Sequence, residues 1–323
     1  MKPITTLGFA ASLLLAACSK SPVQEEQLSP AKNQLSARAT KTASDINFTQ
    51  ENLFPEGVVY DKFNNRFYVS STTRGDIGIV NSDGVYTPFI TDPALVGTTG
   101  LEIDESSKRL FVSNSTDGSV GVYDINTGQR IHFIDLKSLI PGAPVFINDI
   151  ALDNQGNAYV TNSRTPVIYK ISSDGTASIF YQDAAFATTG FGFNGIEYAN
   201  QQGGYLLVAH SATNSIIKFP VSNPAGYNTV LLDAALAGPD GLLVSKNGNE
   251  LIVVNNAGGG NGKVILFSST NKWESGTEQS TFETGPVFPT TATTDGKNVF
   301  VMYAYLHKRA TGQSDYTIKL IPE

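Results

Sequence analysis

Asn194-Gly195-Ile196-Glu197-Tyr198, a polar turn, and the apolar run 205–209 form a unit in which a short alternating strand, started by a small polar pair, leads into a second, more apolar strand. The unit recurs. Asp240-Gly241-Leu242-Leu243-Val244-Ser245 precedes the run 250–254, and Asn148-Asp149-Ile150-Ala151-Leu152-Asp153 precedes 157–161. Thr99-Gly100-Leu101-Glu102-Ile103-Asp104 precedes 109–113, and Pro55-Glu56-Gly57-Val58-Val59-Tyr60-Asp61 precedes 66–70. A sixth, weaker copy covers 290–294, turns at Asp295-Gly296 and continues over 298–305. Taking Gly57, Gly100, Asp149, Gly195 and Gly241 as the register, the copies lie 43, 49, 46 and 46 residues apart. Third and fourth strands follow, as at 167–171 with 177–181 and at 216–219 with 228–232. A period in the forties with about four short strands per unit is the mark of a β-propeller blade. Helical periodicity is nearly absent, and 93–97 and 184–188 read as loops or single turns.

The last repeat supplies three strands, the third over 316–321, before the chain stops. An unpaired blade edge is an aggregation hazard, so residues near 46–52 are expected to add the missing outer strand. The expected fold is all-β: a six-bladed β-propeller over 46–323 with four-stranded blades, the last closed by an N-terminal strand. Composition agrees. Charged residues make up 16% of the 323, against roughly 25% in an average soluble protein, and 30 Gly, 13 Tyr and 18 Phe suit turns and strands better than exposed helices. A net charge of −7 argues against nucleic acid, which needs a basic face. The single Cys excludes an intramolecular disulfide and any Cys-built zinc site.

Residues 1–18 read as a lipoprotein signal peptide. Lys2 is followed by an apolar stretch, 7–17, too short to span a bilayer. Leu15-Ala16-Ala17-Cys18 resembles the bacterial lipobox, with Cys18 as the lipidated residue, and Ser19 resembles the sorting residue of outer-membrane lipoproteins. Residues 19–45, without a single aromatic and rich in Ser, Ala, Gln, Thr and Lys, read as a flexible tether. The expected location is the bacterial cell envelope, lipid-anchored at the outer membrane, with membrane contact through the anchor alone and the folded domain monomeric.

Residues just before the first strand of each blade face the channel at one end: Glu56, Thr99, Asn148, Asn194, Asp240 and Thr290 or Thr291. Four of them, Glu56, Asn148, Asn194 and Asp240, offer two carboxylates and two carboxamide oxygens to one axis. That is a hard-oxygen set for a divalent cation, calcium first, with magnesium or manganese as alternatives. Asn-Gly, Asp-Gly and Asn-Asp are also common turn dipeptides, but the shared register and Glu56, which has no turn preference, favour ligation.

Here the sequence resembles the SMP-30/gluconolactonase-like six-bladed propellers, related more distantly to paraoxonases. The likeness covers nearly everything from Phe54 on and rests on Pro55-Glu56-Gly57, Asn148-Asp149, Asn194-Gly195 and Pro239-Asp240-Gly241. It implies Glu56, Asn194 and Asp240 as ligands of a divalent cation, with Asn148 on the metal or on its bound water and substrate. It also implies hydrolysis of lactones or related esters, in which Asp240 or a nearby base activates water.

Ends of the second strands, Ser71, Asn114, Asn162, His210, Asn255 and Tyr305, are expected at the rim. With Thr99 and Asn148, the set Asn114, Asn162, Asn255 and Tyr305 forms the candidate substrate-binding residues, and His210 is the alternative base. A His packed at a blade edge is the competing reading of His210, and His132 and His307 read as surface residues. Paraoxonases carry a His pair near the metal; Thr99 and Asn114 stand where it would be, which puts arylesterase-like chemistry in doubt. Gly258-Gly259-Gly260-Asn261-Gly262 follows no strand-to-helix pattern and reads as a loop over the pocket, not a phosphate cradle. No G-x-S-x-G surrounds any Ser, including Ser211 beside His210, which argues against a serine hydrolase. The leading expectation is therefore a calcium-dependent hydrolase of a small lactone or sugar-derived ester. Its rival is a non-catalytic ligand- or protein-binding propeller with a structural cation; a metal-dependent lyase is a third possibility.

Overall fold

A computed structural model describes residues 44–201 and 203–322. The signal peptide, Cys18 and nearly all of the tether lie outside these residues. Six antiparallel sheets follow one another along the chain, with 3-10 turns as the only helical segments among the described residues. Their first strands are Val58–Asp61, Thr98–Asp104, Ile147–Leu152, Phe193–Ala199, Pro239–Val244 and Pro289–Thr294. Each pairs with a second strand, and in turn with a third and a fourth, in simple up-and-down order. These are the blades of a six-bladed propeller. In blade six the fourth strand is Ile46–Thr49, antiparallel to Asp315–Ile321, so the ring is closed by the N-terminal strand. Its inward residues Ile46 and Phe48 are buried and its outward ones exposed, the alternation a half-buried strand requires.

The hydrophobic cores lie between neighbouring blades. Phe48 and Tyr316 of blade six pack on Phe67 and Val69 of blade one, and Phe111 and Val122 of blade two on Val160 and Tyr169 of blade three. The segment 228–232, read from sequence as one outer strand, is in fact divided. Asn228–Thr229 pairs within blade four, whereas Leu231–Leu232 crosses and lies parallel to Ser275–Gly276 on the outer edge of blade five. Val230 makes the turn-over: its N–H is bound to Ile216 O at 2.9 Å and its side chain is buried.

Toward the hub, the first strands of blades two to six carry a register break at their second and third residues. A bulge there takes residues out of the ladder and re-aims their side chains. Hydroxyls take up the freed backbone groups. Thr99 Oγ1 donates to Ile147 O (2.9 Å), Thr161 Oγ1 to Asn194 O (2.7 Å), and Thr290 and Thr291 Oγ1 to Glu56 O (2.7 and 2.8 Å). Each bond joins one blade to the next.

Glycine sets the spacing. A Cβ at Gly57 would lie 2.3 Å from Thr99 O, at Gly195 2.1 Å from Asp240 O, and at Gly241 2.5 Å from Thr290 O. Gly195→Ala is expected to destabilise the domain by about 2–3 kcal/mol or prevent folding, because overpacking against backbone cannot be relieved by a rotamer change. Gly190→Ala, with nothing within 4 Å of its added methyl, is expected to be nearly neutral. Denaturant midpoints of the two variants provide the comparison.

Candidate functional site

The bulges carry three of the four oxygen-bearing residues singled out by sequence, Asn148, Asn194 and Asp240, while Glu56 lies just before the first strand of blade one; all four are buried at the hub. Asn148 and Asn194 are positioned by one repeated device. Asn148 Nδ2 donates to Ser163 Oγ (2.9 Å), and Ser163 Oγ donates to Phe193 O (2.6 Å). Asn194 Nδ2 donates to Ser211 Oγ (3.0 Å), which donates to Pro239 O (2.7 Å). Each serine has its only proton committed to a carbonyl, so it can only accept from the asparagine. The amide nitrogen must face the serine, and the carboxamide oxygen is turned the other way. Both oxygens, Asn148 Oδ1 and Asn194 Oδ1, are buried without a hydrogen-bond partner, and so is Glu56 Oε2. Orphaned buried oxygens are costly. Three of them, on three of the four predicted ligands, fit a hard cation.

The carboxylates agree. Burial, then the charges of Asp240 and Asp149, raises the Glu56 pKa well above the ordinary carboxylate range, and Arg309 partly offsets this. Burial raises Asp240 to about 7; the hydrogen bond from Asn256 Nδ2 (2.7 Å) works against that rise, and the charge of Asp149 adds to it. Deeper in the channel stands a group that the sequence reading passed over. Asp149, raised to about 6 by burial, accepts from Ile196 N–H through Oδ2 at 3.1 Å. With Glu102, raised to about 8, and Glu197, raised well above its usual value, both chiefly by burial, it lines a cavity of about 210 Å3 toward the opposite face. A hub with this much carboxylate and little positive charge is electrostatically short of a cation.

The expected rim residues have other engagements. Asn114 Oδ1 accepts from Val96 N–H and its Nδ2 donates to Ala94 O (both 2.9 Å). Asn162 Oδ1 accepts from Phe146 N–H and Asn255 Oδ1 from Ala237 N–H (both 3.0 Å). All three are buried and hold the incoming loop of their own blade. Thr99 is buried and bonded to Ile147 O, and Tyr305, half-buried, packs against Tyr316 and His307. His210 is also buried, with Nε2 on Phe186 O (3.3 Å) and Nδ1 on Thr213 Oγ1 (2.7 Å). A carbonyl only accepts, so the proton sits on Nε2 and Nδ1 receives the Thr213 hydroxyl. Burial lowers its pKa further. The Gly-rich loop is anchored by Asn256, whose Oδ1 accepts from Gly258 N–H (2.9 Å) while its amide holds Asp240.

A sequence model of the SMP-30/Gluconolactonase/LRE-like region matches residues 54–295, which takes in Glu56, Asn148, Asn194 and Asp240. The chain belongs to that family. None of the curated proteins matches it. Among solved structures it is similar to the major allergen Mala s 1 of Malassezia sympodialis (21% identity, TM-score 0.68, covering 87% of this chain and 96% of that one). It is also similar to a gluconolactonase of Xanthomonas campestris (14%, 0.62, 86% and 89%) and to regucalcin, a calcium-binding protein of Agrobacterium tumefaciens (16%, 0.60, 85% and 93%). At these identities the likeness speaks for the fold. The SMP-30/gluconolactonase family assignment rests on the sequence match.

Without a cation, the raised carboxylates make stability fall as pH rises. Asp240 has its folded pKa, about 7, above its ordinary 3.8, so its contribution is complete below pH 4 and lost through pH 7. The loss is on the order of 4 kcal/mol, and Glu56 shifts in the same direction. The chelated protein is therefore expected to melt at a lower temperature at pH 8 than at pH 5. Calcium should restore more stability at pH 8, and Asp240→Asn should flatten the slope. Thermal scans with and without chelator test this.

Proposed function

We propose that this SMP-30/gluconolactonase-family propeller is a calcium-dependent hydrolase that opens a small lactone or sugar-derived ester at the Glu56, Asn148, Asn194 and Asp240 end of its channel. The observation that carries this reading is the trio of buried, unpartnered oxygens on Glu56, Asn148 and Asn194. These residues with Asp240 would hold the ion, and the mixed carboxylate and carboxamide set suits calcium, with magnesium or manganese as substitutes. When bound, a divalent cation supplies a Lewis acid for the ester carbonyl and charge for the developing oxyanion.

The chain's own groups do the rest. Ser163 and Ser211 keep the two carboxamide oxygens aimed at the hub. Asn256 fixes one oxygen of Asp240, which is the candidate base for taking a proton from water. His210, with both nitrogens engaged, supports the packing of the 183–192 loop; acting as base would require it to leave Phe186 O and Thr213.

Turnover of a lactone panel is expected to vanish with EDTA and return with calcium. Asp240→Asn should cost at least about a hundredfold in kcat, and Glu56→Gln should raise the calcium concentration needed. Because His210 offers no free nitrogen, a second reading keeps the cation as structural in a non-catalytic binding propeller. Chelation that lowers Tm, with no turnover on any lactone, would decide for it.

We further propose that the protein acts as a monomer in the bacterial envelope, anchored at the outer membrane through Cys18. The support is Leu15-Ala16-Ala17-Cys18 and the single Cys in the chain. Labelled palmitate should enter the wild type and not Cys18→Ala.

A further inference from the structure

Six arginines fall among the described residues. Four are paired with carboxylates: Arg66 with Asp61, Arg74 with Asp76, Arg109 with Asp104 and Arg130 with Asp92. Arg164 and Arg309 have no such contact among the described residues, and both sit on loops at the cation-ligand end of the channel. In an acidic protein, free guanidinium groups at one mouth are not a generic surface property.

Arg164 is built into its place. Asn162 Oδ1 accepts from the N–H groups of Phe146 and Arg164 (both 3.0 Å), fixing the two segments side by side. Gly192 N–H donates to Ser163 O (2.8 Å), which brings in the segment carrying Phe191. Phe146 and Phe191 meet edge to face with centroids 5.0 Å apart, and the Arg164 guanidinium lies 4.5 Å from the Phe191 centroid. Phe191 is 38% exposed and Arg164 is exposed. The neighbour of Arg164 in sequence is Ser163, which holds Asn148, and Asn194 follows Phe191 by three residues. A flat cation on an open aromatic face thus stands beside two of the four ligand oxygens. Stacking holds the guanidinium plane while leaving its N–H edge available, the arrangement suited to bidentate capture of a carboxylate. Arg309, from blade six across the ring, follows the 3-10 turn Leu306–Lys308 beyond the end of the second strand Val299–Tyr303, and is exposed at the same mouth.

We propose that the site takes lactones carrying a carboxylate, received by Arg164 on its Phe191 platform, with Arg309 as a second anchor. This rests on the hydrolase reading for the reaction, though not for the binding of the anion. The test uses D-glucaro-1,4-lactone and D-glucono-1,4-lactone, which differ in one carboxylate against one hydroxymethyl, together with calorimetric binding of glucarate to the calcium-loaded protein. The carboxylated lactone is expected to have a kcat/KM higher by about tenfold or more, expressed mainly in KM. The ratio should fall toward one in Arg164→Gln, stay intermediate in Arg164→Lys, and drop in Arg309→Gln. Equal turnover of both lactones with a ratio indifferent to Arg164 overturns this proposal and leaves the hydrolase standing. No turnover of either, with glucarate bound in an Arg164-dependent way, removes the hydrolase and keeps the anion site. Neither turnover nor binding overturns both.

Discussion

Close approach of the first strands around the hub is the constraint on which the rest depends. Where Gly57, Gly195 and Gly241 sit, the next blade's backbone occupies the space a side chain would need. Blade three departs from the pattern with Asp149, and its carboxylate reaches across to the N–H of Ile196 in blade four. The same crowding that forbids a Cβ brings the residue before each glycine toward the axis. Contact between blades and convergence of ligands are therefore one geometric fact, and the bulges that relieve the ladder there turn the side chains inward.

From that convergence comes an unusual polar interior. Buried oxygens in folded proteins are nearly always partnered, yet three at the hub are not, and the carboxylates around them are displaced toward protonation. The serine relays make this directional rather than accidental. Ser163 and Ser211 each bind the next blade's carbonyl and so compel the asparagine to show its oxygen to the channel. One hydroxyl thereby joins two blades and orients a candidate ligand.

The fold was legible because strand alternation, turn residues and a period in the forties all point one way, and because the final repeat lacks a strand that 46–52 supplies. The division at Val230 was not, since 228–232 is a continuous β-prone run and its crossing depends on what blade five offers at Ser275 and Gly276. That Glu56, Asn148, Asn194 and Asp240 meet at the hub was legible through their common register. Their partners were missed by one position: the reading stopped at Asn162, His210 and Asn255, whereas Ser163, Ser211 and Asn256 touch the ligands. Successive residues at a strand end face opposite sides, so the first of each pair serves the loop or the core and the second serves the channel. Glu102 and Glu197 stood inside the quoted repeats, two residues after the glycine and so on its face, a signal that was available and unused. Three arginine pairs, Arg66 with Asp61, Arg74 with Asp76 and Arg109 with Asp104, lie within five residues and could be read from their hairpins and turns, whereas Arg130 finds Asp92 38 residues away and could not be.

Joining the first strand to the last has a kinetic consequence. Asn47 and Thr317, bonded at 2.8 Å, are 270 residues apart, so the outer pairing of blade six cannot form until the strand Asp315–Ile321 is present. Five blades form from local hairpins, whereas the outer edge of the sixth waits on contacts up to 275 residues apart. Until then both ends of the arc show open strand edges, the species most prone to pairing with another molecule. Closure is thus the slow step and the guarded one, and conditions that delay it should favour association over folding.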